Sequence, residues 1–140
     1  NKDIYVLQEQ LSGNVFTVEY VRNAHTAHDA AVPRQELLRT KNGAGLTVQM
    51  IADPALIKLV SYIGNKLNIN GCVNMEFILN NGKYYLIDIN PRFSAGVAFS
   101  VVEGYNMVIN HIRCFAGEEV DPQIDIKEQI IIKKYEEVIY

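Results

Sequence analysis

The sequence predicts an α+β domain in which helices pack on one face of an antiparallel β-sheet. Apolar and polar residues alternate with a period of two on both sides of two turn-like segments, Ser12–Asn14 and Asn80–Gly82, as they do in β-hairpins. Between these segments, the residues after Asp53 repeat their apolar side chains at helical spacing. A chain of 140 residues that is 49% hydrophobic suffices for one core, so we expect a single domain over residues 1–140.

The first hairpin is predicted from two strand-like runs, Ile4–Leu11 and Val15–Arg22, joined by Ser, Gly and Asn. We interpret the small and polar segment Asn23–Ala31 as an excursion between strands. His25 and His28 in this segment could serve a transition metal together with Asp29, but a zinc site needs three or four protein ligands and the sequence shows no further partner. Two further strands, Arg34–Arg39 and Leu46–Ile51, are predicted on either side of a loop that contains glycine.

The clearest helix is predicted to begin at Asp53 and Pro54. Aspartate is a good N-cap, and proline is tolerated at the first helical position. The predicted apolar stripe consists of Leu56, Ile57, Leu59, Val60, Ile63 and Leu67. We expect this helix to pack on the core face of the second hairpin, against Phe77 and Ile87, so its role is structural.

Two shorter helices and a last strand follow. The apolar run Val97–Val102 predicts a helix that ends near Gly104, and Asn106 is expected to cap the next helix. The side that this last helix is expected to bury consists of Met107, Val108, Ile109, Ile112 and Phe115. The segment from Gln129 to Tyr140 is predicted to add a final strand to the sheet.

Composition excludes several classes of partner. A net charge of −3 without a cluster of Lys or Arg argues against a nucleic acid partner. No apolar run reaches the roughly 18 residues that cross a bilayer, so we expect a cytoplasmic protein without a membrane partner. Cys72 and Cys114 lack Cys-x-x-Cys spacing and are interpreted as buried thiols in a reducing compartment. Because the chain begins with Asn and not Met, we interpret it as a fragment.

The second hairpin, Cys72–Arg92, concentrates the polar residues that could carry chemistry, and its register decides their positions. A two-residue turn at Asn81–Gly82 would place Glu76 and Asp88 on opposite faces. A loop longer by one residue would pair Asn74 with Asp88 and bring both acids to one face, so we expect the longer loop. The core side would then consist of Val73, Met75, Phe77, Leu79, Tyr85, Ile87 and Ile89.

The polar face of this hairpin suggests a metal site. Its four oxygen-bearing side chains are Asn74, Glu76, Asp88 and Asn90. Like charges on adjacent strands repel unless a cation joins them, and a set of oxygen ligands suits Mg²⁺ or Mn²⁺. The alternative is the ordinary solvated face of an antiparallel sheet. Pro91 stops the strand, which leaves the Arg92 guanidinium beside the carboxylates, where it could hold a phosphate oxygen.

The motif Asn-Met-Glu-Phe, followed after a hairpin by Asp-Ile-Asn-Pro-Arg, resembles the metal-binding end of the ATP-grasp superfamily. It is most similar to the branch of the carbamoyl phosphate synthase large subunit. The resemblance implies that Mg²⁺ ions bridging the phosphates of ATP are held by Glu76, Asp88 and Asn90. It also implies that Arg92 contacts the transferring phosphoryl group. Relatives more often carry Glu at the position of Asp88, whose shorter side chain reduces the reach to the metal.

Further nucleotide contacts follow from the same resemblance. The hinge that runs along the adenine would be formed by Gln8, Glu9, Gln10 and Leu11. The carboxylate that binds the ribose in many relatives falls on Val15. Glu19 could replace it from the same hairpin, and the alternative is an exposed strand acid without a ligand. Arg39 and Lys41, beside the glycine-bearing loop, are candidates for contacts with phosphates or acceptor, and the alternative there is a flexible surface turn.

The function implied by the resemblance is that of an ATP-dependent ligase that forms an acyl phosphate from ATP and a small carboxylate, which an amine or thiol nucleophile then captures. Ser94 is a further candidate for contact with acceptor or phosphate. The chain would be the carboxy-terminal ATP-grasp subdomain, its partner the amino-terminal subdomain, and it should be inactive alone. The alternatives are a non-catalytic regulatory module that binds nucleotide and Mg²⁺, and a purely structural domain. The sequence does not decide between a monomer and a homo-oligomer.

Overall fold

The protein folds as a six-stranded antiparallel sheet with three helices, within the residues that the computed structural model describes, 5, 7–136 and 139. In chain order the elements are β1 (Asn14–Arg22), β2 (Asp29–Arg39), β3 (Gly45–Met50), α1 (Pro54–Lys66), β4 (Gly71–Asn80), β5 (Lys83–Asn90), α2 (Val97–Glu103), α3 (Met107–Ala116) and β6 (Ile130–Ile132). The strand order is β5-β4-β1-β2-β3-β6. The predicted α+β class with an antiparallel sheet is confirmed.

The helices pack on both faces of the sheet, whereas the sequence suggested a single helical face. Tyr20 lies in a core that α1 closes with Leu56. Val21, the next residue of β1, lies in a second core that α2 and α3 close with Phe99 and Met107. Because successive side chains of a strand point to opposite faces, an apolar run on β1 requires cover on both sides.

Helix α1 begins as predicted. The Asp53 side chain accepts hydrogen bonds from two backbone amides of the first turn, at 2.8 and 3.3 Å, and Pro54 follows it. Its other oxygen accepts a hydrogen bond from the Tyr84 hydroxyl at 2.7 Å, which ties the helix to β5. Phe77 shares the core beneath α1, as expected, but Ile87 is 47% exposed and takes no part in it.

Helix α3 has the predicted cap but not the predicted buried side. The Asn106 side chain accepts a hydrogen bond from the Ile109 amide at 3.1 Å. The inward residues are Met107, Asn110 and Cys114. Asn110 faces inward because its amide exchanges hydrogen bonds with Asp121, at 2.7 and 3.0 Å. Four apolar residues expected to be buried are therefore exposed: Val108, Ile109, Ile112 and Phe115.

The predicted first hairpin is wrong. Leu7–Ser12 has no regular structure, while Ile4 and Val6 lie outside the described residues. Strand β1 pairs instead with β2 and β4, and β2 begins at Asp29, within the segment interpreted as an excursion. The sequence could not reveal this, because the partner of an apolar strand is chosen by the whole sheet.

Two smaller expectations can be compared with the structure. Cys72 and Cys114 are buried and unpaired thiols, as predicted. Strand β6 adds to the sheet beside β3, as predicted for the last segment, although it spans only Ile130–Ile132. In the part of the chain that the structure describes, no helix has the length and apolarity needed to cross a bilayer.

Close packing of α1 on β1 makes Gly64 a test of the fold. A methyl group at Gly64 would overlap the ring and hydroxyl of buried Tyr20, which donates to Asp29 at 2.7 Å. Gly64→Ala is therefore expected to lower the free energy of unfolding by about 1–3 kcal/mol, measured by urea denaturation. Helix propensity alone would raise it by about 1 kcal/mol, so the sign is decisive.

Lys66→Ala, at an exposed position of the same helix, is the matched control and should change the free energy of unfolding by no more than about 0.5 kcal/mol. A stabilising effect of Gly64→Ala would contradict the described packing of α1 on Tyr20.

Candidate functional site

A β-bulge decides which side chains of the second hairpin meet. The turn has two residues, Asn81 and Gly82, with φ of 49° and 75°, as in a type I′ turn, so the predicted longer loop is wrong. Leu79 accordingly pairs with Tyr84. The register then shifts by one residue next to Glu76, which pairs with Asp88. The bulge thus restores the juxtaposition of acids that a simple two-residue hairpin would have lost.

The same turn changes which side chains are buried in the outer half of the hairpin, which is the part between the bulge and the turn. Tyr85 and Ile87 are exposed, whereas Tyr84 and Ile89 pack against the core beneath α1, so the expected core side was wrong at Tyr85 and Ile87. Tyr84 meets the Phe16 ring edge-on, with centroids 5.3 Å apart. Burial, with the hydrogen bond to Asp53, raises the pKa of Tyr84. Tyr84 therefore anchors β5 as a neutral phenol.

The predicted metal-binding residues lie side by side on one face. The Asn90 amide donates to the Asp88 carboxylate at 2.8 Å, and Arg92 donates to the Asn90 oxygen at 3.4 Å. Asn74 lies opposite Asn90 in the strand register. In the described part of the chain no three His, Cys, Asp or Glu residues cluster as metal ligands, so the protein would supply two carboxylates and an amide. This donor set fits Mg²⁺, which usually takes its remaining ligands from phosphates and water.

Beside these residues, with Glu19 opposite Asn74 in the pairing of β1 with β4, lies a buried ion-pair network centred on Arg34. Its guanidinium contacts Glu19 at 3.3 Å, Glu36 at 3.0 Å and the Ser94 hydroxyl at 3.2 Å. Ser94 also donates to Glu19 and accepts from the Gly96 amide at 2.9 Å. The network therefore joins β1 and β2 to the loop that follows Arg92.

Sequence reasoning missed the roles of Arg34 and Glu36. A signal was present, because charged residues two positions apart in a strand share a face, and this strand is otherwise largely apolar at its start. Their partner Glu19 is fully buried, so the interpretation of Glu19 as an exposed strand acid is wrong. A ribose contact from Glu19 stays a prediction, and it would require the ion pair with Arg34 to open.

Arg39 connects the buried network to the predicted metal ligands. Its guanidinium donates to Glu76 at 3.0 Å and to the Thr17 hydroxyl at 3.2 Å. These three side chains line a cavity of about 130 Å³ together with Asn42–Gly45 and Arg92. Lys41 is exposed and is not among the residues that line it.

The residues predicted for the adenine hinge lie beside the outer half of the hairpin. Together they line a groove of about 420 Å³: Gln8, Glu9, Gln10, Leu11, Ile78, Leu86 and Ile87. One wall is thus apolar and comes from β4 and β5, the strands that carry Glu76 and Asp88. The structure thus brings the predicted hinge segment to the hairpin that carries the predicted metal ligands.

Comparison with known sequences identifies a family. The family described as "ATP-grasp in the biosynthetic pathway with Ter operon" matches residues 2–138. The carbamoyl phosphate synthase large chain of Thermoplasma acidophilum is 33% identical over 99 residues, which are 66% of this chain and 8% of that protein.

Solved structures share the fold. A pyruvate carboxylase from Rhizobium etli superposes with a TM-score of 0.67 at 20% identity, over 82% of this chain and 13% of that one. The biotin carboxylase domain of the 2-oxoglutarate carboxylase from Hydrogenobacter thermophilus, a dimer in complex with MgADP, ADP and bicarbonate, gives 0.67 at 20% identity, over 84% and 28%. The phosphoribosylaminoimidazole carboxylase ATPase subunit from Aquifex aeolicus gives 0.65 at 14% identity, over 78% and 36%. This chain thus matches only part of each protein.

Proposed function

Because this chain belongs to the ATP-grasp family, we propose that it is the ATP- and Mg²⁺-binding part of a ligase that forms an acyl phosphate from ATP and a small carboxylate. The observation that carries the proposal is the pairing of Glu76 with Asp88 through the bulge of β4 and β5. Asn90 and Arg92 flank this pair. Two opposed acids give a purely structural sheet no advantage, because they repel each other; Arg39 offsets the charge of Glu76, but Asp88 has no ion-pair partner among the described residues.

The positions of the groove and of Asp88 on the hairpin support one orientation of the bound nucleotide, with the purine in the groove and the phosphates near Asp88. The groove between Gln8–Leu11 and the apolar side chains of Ile78, Leu86 and Ile87 would take the flat purine, and backbone groups of the hinge would read its edge. The phosphates would then extend along the hairpin toward Asp88. The exposed Arg92 guanidinium would hold oxygens of the γ-phosphoryl group, for which its planar fork of donors is suited.

In the proposed reaction a carboxylate oxygen attacks the γ-phosphorus of ATP and ADP leaves. An amine or thiol then attacks the acyl carbon of the acyl phosphate, and inorganic phosphate leaves. Mg²⁺ held by Glu76, Asp88 and Asn90 would neutralise charge on the phosphates. Arg92, which lies beside Asn90, would stabilise the charge of the transferring group. Ser94, whose hydroxyl is engaged by Arg34 and Glu19, would position the loop after Arg92 and not touch the substrate.

The amino-terminal ATP-grasp subdomain is the proposed partner, since phosphate-binding lysines and a glycine-rich flap are expected from it. That the 140-residue chain is inactive alone, and that the protein is cytoplasmic, remain predictions.

The test is release of phosphate from ATP by the full-length protein with Mg²⁺, an amine or thiol acceptor, and a panel of small carboxylates, bicarbonate included. We expect release that depends on one of these carboxylates. Tight binding of Mg²⁺ and ATP in equilibrium dialysis, without release under any acceptor, would instead identify a non-catalytic module.

A further inference from the structure

The Arg39 guanidinium donates a hydrogen bond to one carboxylate oxygen of Glu76, a proposed metal ligand. Arg39 Nη2 lies 3.0 Å from Glu76 Oε2, and both side chains are about one quarter exposed, at 26% and 23%. The Thr17 hydroxyl, opposite Glu76 in the pairing of β1 with β4, accepts from the same nitrogen at 3.2 Å. A cation that belongs to the protein therefore already neutralises Glu76.

A second arrangement of Arg39 is available nearby. Glu36 Oε2 and Arg39 Nε lie 3.6 Å apart, within ion-pair distance but too far for a hydrogen bond, and neither buried atom has a hydrogen-bond partner among the described residues. The other oxygen of Glu36 is held by Arg34 at 3.0 Å. A small shift of Arg39 away from Glu76 would thus bring together a donor and an acceptor that have no hydrogen bond in the described part of the chain.

Metal binding at Glu76 conflicts with the arrangement that the structure shows. A divalent cation and a guanidinium on one carboxylate would repel each other at a separation of a few ångströms, where such repulsion is only partly screened. The unpaired acceptor on Glu36 gives Arg39 a place to move, so the conflict can be resolved without unfolding the strand.

We propose that Arg39 is a positioning residue that competes with the divalent cation for Glu76, and that it sets the affinity of the site by moving between Glu76 and Glu36. This inference rests on the proposed function, since it takes Glu76 and Asp88 as metal ligands. It assigns to Arg39 a role other than a direct contact with phosphate or acceptor.

The experiment measures Mn²⁺ binding to the full-length protein without nucleotide, from the electron paramagnetic resonance signal of unbound Mn²⁺. Arg39→Gln is expected to bind Mn²⁺ roughly three- to tenfold more tightly, because the competing ion pair is gone. Thr17→Val, which keeps the shape of a buried side chain but removes the anchor of Arg39, should tighten binding by roughly two- to threefold. Unchanged or weaker binding in both variants would overturn the proposal, and Thr17→Val decides if Arg39→Gln does not fold.

Two further variants separate this inference from the proposed site. Lys83→Gln removes a positive charge at the exposed far end of β5, about 17 Å along the strand from Asp88, and should leave Mn²⁺ affinity within about twofold of the wild type. Asp88→Asn should abolish the measured binding. If Asp88→Asn abolishes binding but Arg39→Gln binds Mn²⁺ no more tightly than the wild type, the proposed role of Arg39 is wrong and the proposed metal site is supported. If Asp88→Asn binds Mn²⁺ normally, the proposed metal site is wrong.

Discussion

Replacing Asp88 by alanine is expected to reduce Mg²⁺-dependent phosphate release from ATP by the full-length protein about 10²- to 10³-fold. Asp88 is one of two carboxylates proposed to hold the metal, and Glu76, its partner across the hairpin, is already shared with Arg39. The loss should appear in kcat/KM for ATP and in Mn²⁺ affinity alike, because the same ligand serves both.

Stability should not account for the loss. Asp88 is exposed, and within the described residues its side chain makes one hydrogen bond, which it accepts from the Asn90 amide. The free energy of unfolding should therefore change by no more than about 0.5 kcal/mol. Asp125→Ala removes another exposed aspartate, from the groove beside α1, and should retain full activity. Equal activity of the two variants would remove Asp88 from the site.

Replacing Arg34 by methionine is expected to lower the free energy of unfolding by about 3–5 kcal/mol, since it would leave buried Glu19 without its cation and buried Glu36 with only the more distant Arg39. The side chains of Arg34, Glu19 and Glu36 are each no more than 2% exposed. Urea denaturation measures the loss. Hydrogen exchange should locate it at the amides of β1 and β2, the strands that the network joins.

Arg113→Met is the matched control for Arg34. Arg113 also contacts two acids, Asp121 and Glu118, but its side chain is 31% exposed, so its loss should cost no more than about 1 kcal/mol. Adding Glu19→Gln to Arg34→Met should recover part of the stability, because one uncompensated charge is removed. A cost for Arg34→Met no larger than that for Arg113→Met would show that the buried network does not stabilise the sheet.

The network also explains how the site is held in place. Ser94, two residues beyond Arg92, is tied through Arg34 and Glu19 to the centre of the sheet. The loop that carries the proposed phosphoryl contact is therefore anchored by strands distant in sequence, although Arg92 itself is exposed. We infer that loss of Arg34 would affect activity as well as stability.

Local sequence was sufficient for the features that local physics controls. Asp53 and Asn106 cap the helices they were predicted to cap, because a cap depends on a side chain and the amides of the following turn. The residues proposed for the metal, Glu76, Asp88 and Asn90, could be selected from one hairpin, since all of them lie within 15 consecutive positions. The alternation of β4 likewise indicated its core side.

Tertiary structure decided the register, the helical faces and the charge network. The Asn81–Gly82 turn and the contacts of Tyr84 determine the register of the hairpin next to the turn. The bulge then shifts the register by one residue, so that Glu76 pairs with Asp88. The hydrogen bonds between Asn110 and Asp121 orient α3 so that Asn110 faces the core and the apolar stripe of the helix is exposed. Arg34 met Glu19 only because β1 and β2 pair. Caps and alternation depend on neighbours within a few residues, whereas register, burial and ion pairing depend on which distant segments lie alongside, and that is settled only when the whole sheet forms.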